Sequence, residues 1–288
     1  MSLRSCVLLA AAAAPVAAQP AELEFRSDVR LVEVYATVVD RRGRYLDGLS
    51  RERFQVTDNG APQTIVTFET DTANLSCALL LDTTGSMARA LPVVKNAILK
   101  LLDRLRDGDA VAVYGFSTRL AALQDFTTDK AAVKKAVLDT RPSGRTALFD
   151  AISRVSREIG RRSGKKIIVV FTDGQDNASV LSADAAVMRT KKIGVPVYTV
   201  AQGEALQSRG LVRMLKDIAQ RTGGRSYTVE QAREIDDVFE DIALDLQHTY
   251  LLTYKAPSAS DARWRSIQVT LNGVENYRLR AKEGYFPE

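Results

Sequence analysis

Between residues 77 and 229 the chain alternates short apolar runs with longer segments whose apolar residues recur at helical spacing. Few folds tolerate that pattern. Runs at 77–81, 110–116, 167–171 and 195–200, with a weaker one at 226–229, are dominated by Val, Ile, Leu and Ala and lack the polar alternation of a half-exposed strand. Strands of this kind are buried on both faces. Between them Leu91, Val94, Ile98, Leu101, Leu102 and Leu105 share one helical face, as do Leu148, Ile152, Val155 and Ile159, and Leu211, Leu215 and Ile218. Apolar strands joined by amphipathic helices predict a doubly wound, mainly parallel α/β sheet of Rossmann-like architecture.

The flanks follow a different rule. Residues 29–39 alternate as a strand ahead of the turn Asp40-Arg41-Arg42-Gly43-Arg44. Phe54-Gln55-Val56 precedes the turn Asp58-Asn59-Gly60, with 64–68 expected as the returning strand. After a helix ending near Gln247 the β pattern resumes, with strands at 249–254, 266–271 and 277–281 around the turn-rich stretch 256–261. Neither flank has enough strands for a core of its own. The expectation is that both meet in one small β-sandwich into which the α/β domain is inserted, with segments at 19–72, 73–248 and 249–288.

The first eighteen residues belong to neither part. Arg4 is their only charge, residues 7–14 are unbroken apolar, Pro15 breaks the run, and Val16-Ala17-Ala18 is a small-residue cleavage pattern. This is the layout of a secretory signal peptide over 1–18. The apolar run is well short of the roughly 20 residues that cross a bilayer as a helix, and no later segment comes close. The expected product is exported to the periplasm, cell surface or exterior without a transmembrane segment. Cys6 precedes the apolar run, which argues against a lipid anchor, and its removal leaves Cys77 alone as a packed, inert thiol.

Charge narrows the partners. Forty basic residues against 35 acidic ones give a net +5, a mixed surface with no cluster of cations interleaved with aromatics. Nucleic acid is therefore not indicated as a partner. The longest basic stretch, Arg161-Arg162-Ser163-Gly164-Lys165-Lys166, reads as a solvated turn between a helix and a strand.

In an open parallel sheet the ligand site lies at the carboxyl ends of the strands, near the switch in strand order. Three polar loops fall there. The first strand runs into Asp82-Thr83-Thr84-Gly85-Ser86, where Asp82, Thr84 and Ser86 alternate and can aim their oxygens at one centre. The second loop, Ser143-Gly144-Arg145-Thr146, precedes the helix containing Leu148, and the third, Thr172-Asp173-Gly174, ends the run 167–171. Two carboxylates and three hydroxyls with no soft ligand suit a hard divalent cation such as Mg2+. Taken singly, Asp82 and Thr146 also read as helix caps and Asp173-Gly174 as a turn. Their joint placement favours a metal.

Asp82-x-Thr84-x-Ser86 with the distal Thr146 and Asp173 resembles the metal-ion-dependent adhesion site of the von Willebrand factor type A domains, over roughly residues 73–248. Thr84 stands where serine is commoner, which keeps the hydroxyl. The flanking sequences Leu49-Ser50-Arg51-Glu52-Arg53-Phe54-Gln55-Val56 and Ala281-Lys282-Glu283-Gly284-Tyr285 are similar to those of a secreted bacterial branch of the family. The resemblance implies that these five side chains hold one Mg2+, Mn2+ or Ca2+, directly or through water. It also implies that a protein partner completes the shell with an Asp or Glu carboxylate.

The enzyme alternative is a metal-dependent phosphohydrolase with Asp82 as nucleophile. Such an enzyme of the haloacid-dehalogenase type needs a second Asp two residues on, where Thr84 stands. The sequence has no phosphate-binding G-x-x-x-x-G-K-[ST] loop, no G-x-S-x-G elbow and no H-E-x-x-H zinc motif. His248 is the only histidine.

Overall fold

A computed structural model describes residues 30–287 apart from 71–73, 163, 175, 232–233 and 258–262, and the expected signal segment lies outside the described residues. The chain opens with β1 (Leu31–Asp40), β2 (Phe54–Asp58), β3 (Ala61–Gln63) and β4 (Ile65–Glu69). The α/β portion follows as β5 (Leu75–Asp82), α1 (Leu91–Arg104), β6 (Ala110–Phe116), β7 (Leu120–Thr127), α2 (Lys130–Asp139) and α3 (Leu148–Gly160). It continues through β8 (Lys165–Thr172), α4 (Ala183–Ile193), β9 (Val197–Gln202), α5 (Arg209–Thr222), β10 (Ser226–Val229) and α6 (Glu234–Gln247). The last strands are β11 (Thr249–Lys255), β12 (Arg265–Leu271), β13 (Tyr277–Ala281) and β14 (Gly284–Tyr285).

The central sheet has the order β10-β9-β8-β5-β6-β7, parallel except for the edge strand β7. Every residue of β5 and β8 is buried. On β5, Cys77, Leu79 and Leu81 face α1 and α6, packing with Ile98, Leu101 and Phe239, while Ala78 and Leu80 join Ile152 and Val155 of α3 on the other face. This division accounts for the unbroken apolar run. Cys77 is enclosed in the first of these clusters, and burial pushes its thiol pKa up. The chain proceeds from β5 towards β6 and β7, then returns to place β8 on the opposite side of β5. The switch in strand order, where such sheets bind ligands, therefore lies between the carboxyl ends of β5 and β8.

The two flanks meet as expected. One antiparallel sheet has the order β13-β1-β11-β4 and another β14-β12-β2-β3, so each contains strands from both ends of the chain. Val34, Ala36, Leu252 and Tyr254 of the first pack on Phe54, Val56 and Val269 of the second. Between them Asp58, with no exposed surface, accepts hydrogen bonds from Tyr254 Oη (2.8 Å), Tyr285 Oη (2.9 Å) and Arg265 Nε (2.6 Å).

Three features depart from the sequence reading. The strand returning from the Asp58-Asn59-Gly60 turn is the short β3, while the expected strand 64–68 forms as β4 in the other sheet. Thr64, between them, is where the chain changes sheets. The structure also adds the edge strand β7 and the helices α2 and α4, which the apolar periodicity does not mark. Lys165 and Lys166 of the basic run are buried in the first two positions of β8 rather than solvated in a turn.

Only His248 separates α6 from β11. Its ring stacks on Tyr45 with centroids 4.5 Å apart, and its Nδ1 lies 2.6 Å from Asp47 Oδ1. The imidazole thus fastens the junction between the two parts of the protein. No histidine stands near the carboxyl ends of β5 and β8 among the described residues.

Candidate metal centre

Asp82 is the last residue of β5, and the chain then passes through Thr84 into a short 3-10 turn, Gly85–Ala88, before α1 begins. The extended backbone at Thr84 lets alternate side chains point the same way. Thr84 Oγ1 and the Thr84 amide both donate to Asp82 Oδ1, at 2.7 and 3.0 Å, and Thr84 Oγ1 lies 3.0 Å from Ser86 Oγ. Ser86 Oγ donates in turn to Asp173 Oδ1 at 2.8 Å, just beyond the end of β8. The remaining Asp82 oxygen, Oδ2, accepts from Thr172 Oγ1 at 2.7 Å.

Thr146 enters from the loop ahead of α3. A Cβ built on Gly174 would lie 3.4 Å from Thr146 Oγ1, 3.9 Å from Ser86 Oγ and 4.0 Å from Asp82 Oδ2, so these oxygens surround one small space beside the glycine. A side chain there would intrude into it. The sequence-selected residues from all three loops are thus brought together at the switch point. The Thr146 hydroxyl forms no hydrogen bond with another described residue, and α3 is capped at Ala147 without a side-chain bond, so Thr146 does not serve as the helix cap.

Asp82 and Asp173 are both almost fully enclosed, at 0% and 2% exposure. Burial holds the Asp82 carboxyl above the usual Asp range, opposed by the hydrogen bonds from Thr172 and Thr84. None of the Asp82 partners is a cation.

From Asp82 through Thr84 and Ser86 to Asp173 there are three oxygen-to-oxygen contacts, and the two hydroxyls supply one proton each. With both carboxylates ionised, those protons go to Asp82 and Asp173, and the Thr84–Ser86 contact is left with lone pairs opposed. A hard cation among these oxygens would turn that mismatch into ligation. The donor set and the space beside Gly174 fit such an ion. Among the described residues no group of three or more His, Cys, Asp or Glu side chains is placed to hold a metal ion, and the candidate centre instead combines two carboxylates with three hydroxyls.

Residues outside the five hold the loops in place. Asp176 Oδ2 accepts from the Phe149 amide in the first turn of α3 at 2.9 Å and from Ser179 Oγ at 2.6 Å. Asn177 Oδ1 accepts from the Thr146 amide at 3.1 Å, and the Asn177 and Ala178 amides both donate to the Thr146 carbonyl. Asp150 completes the clamp by accepting from the Val180 and Leu181 amides at 2.9 and 3.0 Å. Asp176 and Asn177 are thus not among the five residues that the motif spacing selects, yet they position the loop that carries one of them. Their signal was the density of short polar side chains after Asp173, which bond readily to nearby backbone.

The von Willebrand factor type A domain profile matches residues 77–241, more than half of the chain. The protein belongs to that family. An uncharacterized protein of Synechocystis is 26% identical over 199 residues, covering 64% of this chain and 46% of its own. Among solved structures, proximal thread matrix protein 1 of the mussel byssus, with its MIDAS motif occupied by zinc, matches 66% of this chain and 50% of its own, at 23% identity and a TM-score of 0.55. A von Willebrand factor type A protein from Catenulispora acidiphila matches 91% of this chain and 75% of its own, at 14% identity and a TM-score of 0.53. The two structures establish likeness of fold. The chain spans under half of the Synechocystis protein and half of the mussel chain. No described helix is long and apolar enough to cross a membrane.

Proposed function

We propose that the protein is an exported interaction module that binds an acidic partner through a divalent cation held by Asp82, Thr84, Ser86, Thr146 and Asp173. The observation carrying this reading is the run of oxygens from Asp82 to Asp173, which is one proton short when both carboxylates are ionised. When bound, Mg2+ or a similar ion supplies a Lewis-acidic position for a partner carboxylate. Asp82 and Asp173 neutralise part of its charge, while the three hydroxyls orient it without adding negative charge. The remaining positive charge is what an Asp or Glu of the partner would meet, in a site that excludes much of the solvent. The amino-terminal pattern at 1–18 supports export, and the absence of an aromatic-basic patch supports a protein partner over nucleic acid.

The phosphohydrolase reading has less support. Both oxygens of Asp82 are engaged by Thr84 and Thr172 and its carboxylate has no exposed surface, a poor state for a nucleophile. Thr84, in the position of the required acid, donates its proton to Asp82. The decisive experiment is capture of partners from envelope extract with Mg2+ and with chelator, beside calorimetric titration of the protein with Mg2+. Retention of the same partners in chelator by protein that binds no Mg2+ would refute the proposal, and release of phosphate from an aryl phosphate would restore the enzyme.

A further inference from the structure

At the opposite end of the central sheet, where β8 begins and α3 and α4 end, the two parts of the protein enclose a cleft of about 470 Å³. Arg157, Arg161 and Arg162 reach it from the end of α3, Lys192 from α4, Lys166 from β8 and Lys282 from the segment before β14. Glu33 is the one carboxylate among its lining residues, and its Oε2 is already shared by Lys166 Nζ at 2.7 Å and Tyr35 Oη at 3.0 Å. Each helix C-terminus contributes about half a negative charge. Together with Glu33, the two helix ends leave a large positive excess.

Lys166 is paired with Glu33 and Arg162 donates to Ser76 Oγ at 2.7 Å, but the other four cations are not consumed by pairing. Arg157, Arg161, Lys192 and Lys282 form no salt bridge with any described residue. Lys282 is the informative one, since its surroundings are packed enough to push its ammonium down to about 8, with Lys166 acting in the same direction and Glu33 against it. Glu33 is the one opposing carboxylate in the cleft and is already bonded to Lys166 and Tyr35, so an entering anion would relieve the remaining repulsion among the half-buried ammonium and its neighbouring cations. Guanidinium groups with ammonium groups behind them match an oxyanion having several acceptor oxygens.

From this juxtaposition we infer that the cleft between α3, α4 and the start of β14 is a second binding site, for a phosphate-bearing ligand. It lies at the amino end of β8, whereas the candidate metal centre lies at the carboxyl end, so the two sites are physically separate. The ligand's phosphate oxygens would sit among Arg161, Lys192 and Lys282, with the rings of Tyr285 and Phe286 lining the same cleft.

The test is titration of chelator-dialysed protein with inorganic pyrophosphate at fixed ionic strength. Saturable one-to-one binding is expected. The double variant Arg161→Ala with Lys192→Ala, both exposed side chains, should weaken it at least tenfold, and Asp173→Ala should leave it unchanged. A second variant, Lys282→Met, should weaken it at constant melting temperature or above. Co-sedimentation with phosphatidate or phosphatidylcholine vesicles distinguishes the sources. Retention on phosphatidate, displaced by pyrophosphate, identifies a lipid headgroup, whereas pyrophosphate binding without retention identifies a soluble ligand. Absence of saturable pyrophosphate binding, or equal affinity in the unmutated protein and the double variant, overturns the inference.

Discussion

Ser86 and Asp173, 87 positions apart, are joined by a hydrogen bond of 2.8 Å from the serine hydroxyl to the carboxylate. It links the loop after β5 to the loop after β8 across the switch in strand order. The bond forms only if both strands end at the right height, which their parallel register from Leu75↔Lys165 to Leu81↔Phe171 ensures. A cation bridging the same loops would strengthen a connection that the fold has already aligned.

Mg2+ or Mn2+ is therefore expected to stabilise the folded protein. At a hundredfold excess over the dissociation constant the linkage is worth about 2.7 kcal/mol, or roughly 5–10 °C in melting temperature for a chain of this size. Asp173→Ala should remove the shift while remaining folded in chelator. Differential scanning calorimetry in the two buffers checks this, and an equal shift in the variant would place the ion elsewhere.

Asp82 should reverse the sign of its contribution with metal. Its folded pKa is raised by burial, so without metal the native state holds the proton more tightly than the unfolded chain does. The associated stability is present at pH below the ordinary Asp range and is lost as pH rises through the raised value. In chelator at neutral pH, Asp82→Asn should thus melt no lower than the unmutated protein, because the Asn amide can donate to Thr172 Oγ1 and its carbonyl can accept from Thr84. In Mg2+ the order should invert, and the affinity of the unmutated protein for Mg2+ should fall as the pH drops through the raised Asp82 range. The same ranking of the two proteins in both buffers would sink this account.

Asp176→Ala tests the loop clamp. Losing the acceptor for the Phe149 amide and the Ser179 hydroxyl should cost about 1–2 kcal/mol in chelator, as a lost helix cap does. Mg2+ affinity should fall severalfold too, because the loop carrying Thr146 is held by the same segment. Urea titration and calorimetry measure the two effects, and unchanged values in both would remove Asp176 from the support of the site.

Asp58→Ala tests the sandwich. The substitution leaves Tyr254, Tyr285 and the mostly buried Arg265 without their common acceptor, a loss of about 3–5 kcal/mol by analogy with other broken buried ion pairs. A change in urea stability below about 1 kcal/mol would show that the strands from the two ends of the chain do not depend on this contact.

Sequence legibility followed burial. The strands β5, β6 and β8 are enclosed on both faces, so their residues had to be apolar throughout and the pattern was unmistakable. By contrast β7 is largely exposed at the sheet edge, and α4 buries only Ala186, Val187 and Thr190, too little for a clear apolar stripe. Thr64 carried no mark of the change of sheet. The five candidate ligands were readable because they follow strands or precede a helix at positions the fold dictates. Asp176, Asn177 and Asp150 act on backbone amides of other loops, and those pairings exist only once the chain has folded.

The sandwich also determines how the molecule would carry mechanical load. The α/β portion leaves one flanking sheet after Glu69 and rejoins it at Thr249, and the strands bearing those residues, β4 and β11, lie side by side with Leu251 opposite Glu69. Tension applied through residues 30 and 287 passes through the sandwich ladders and bypasses the central sheet, which hangs outside the loaded path. A pull arriving at Asp82 or Asp173 from a bound partner would instead be divided between two anchored tethers. The loops carrying Asp82 and Asp173 would keep their shape under forces along the backbone for as long as the ladders between β1, β11 and β13 hold.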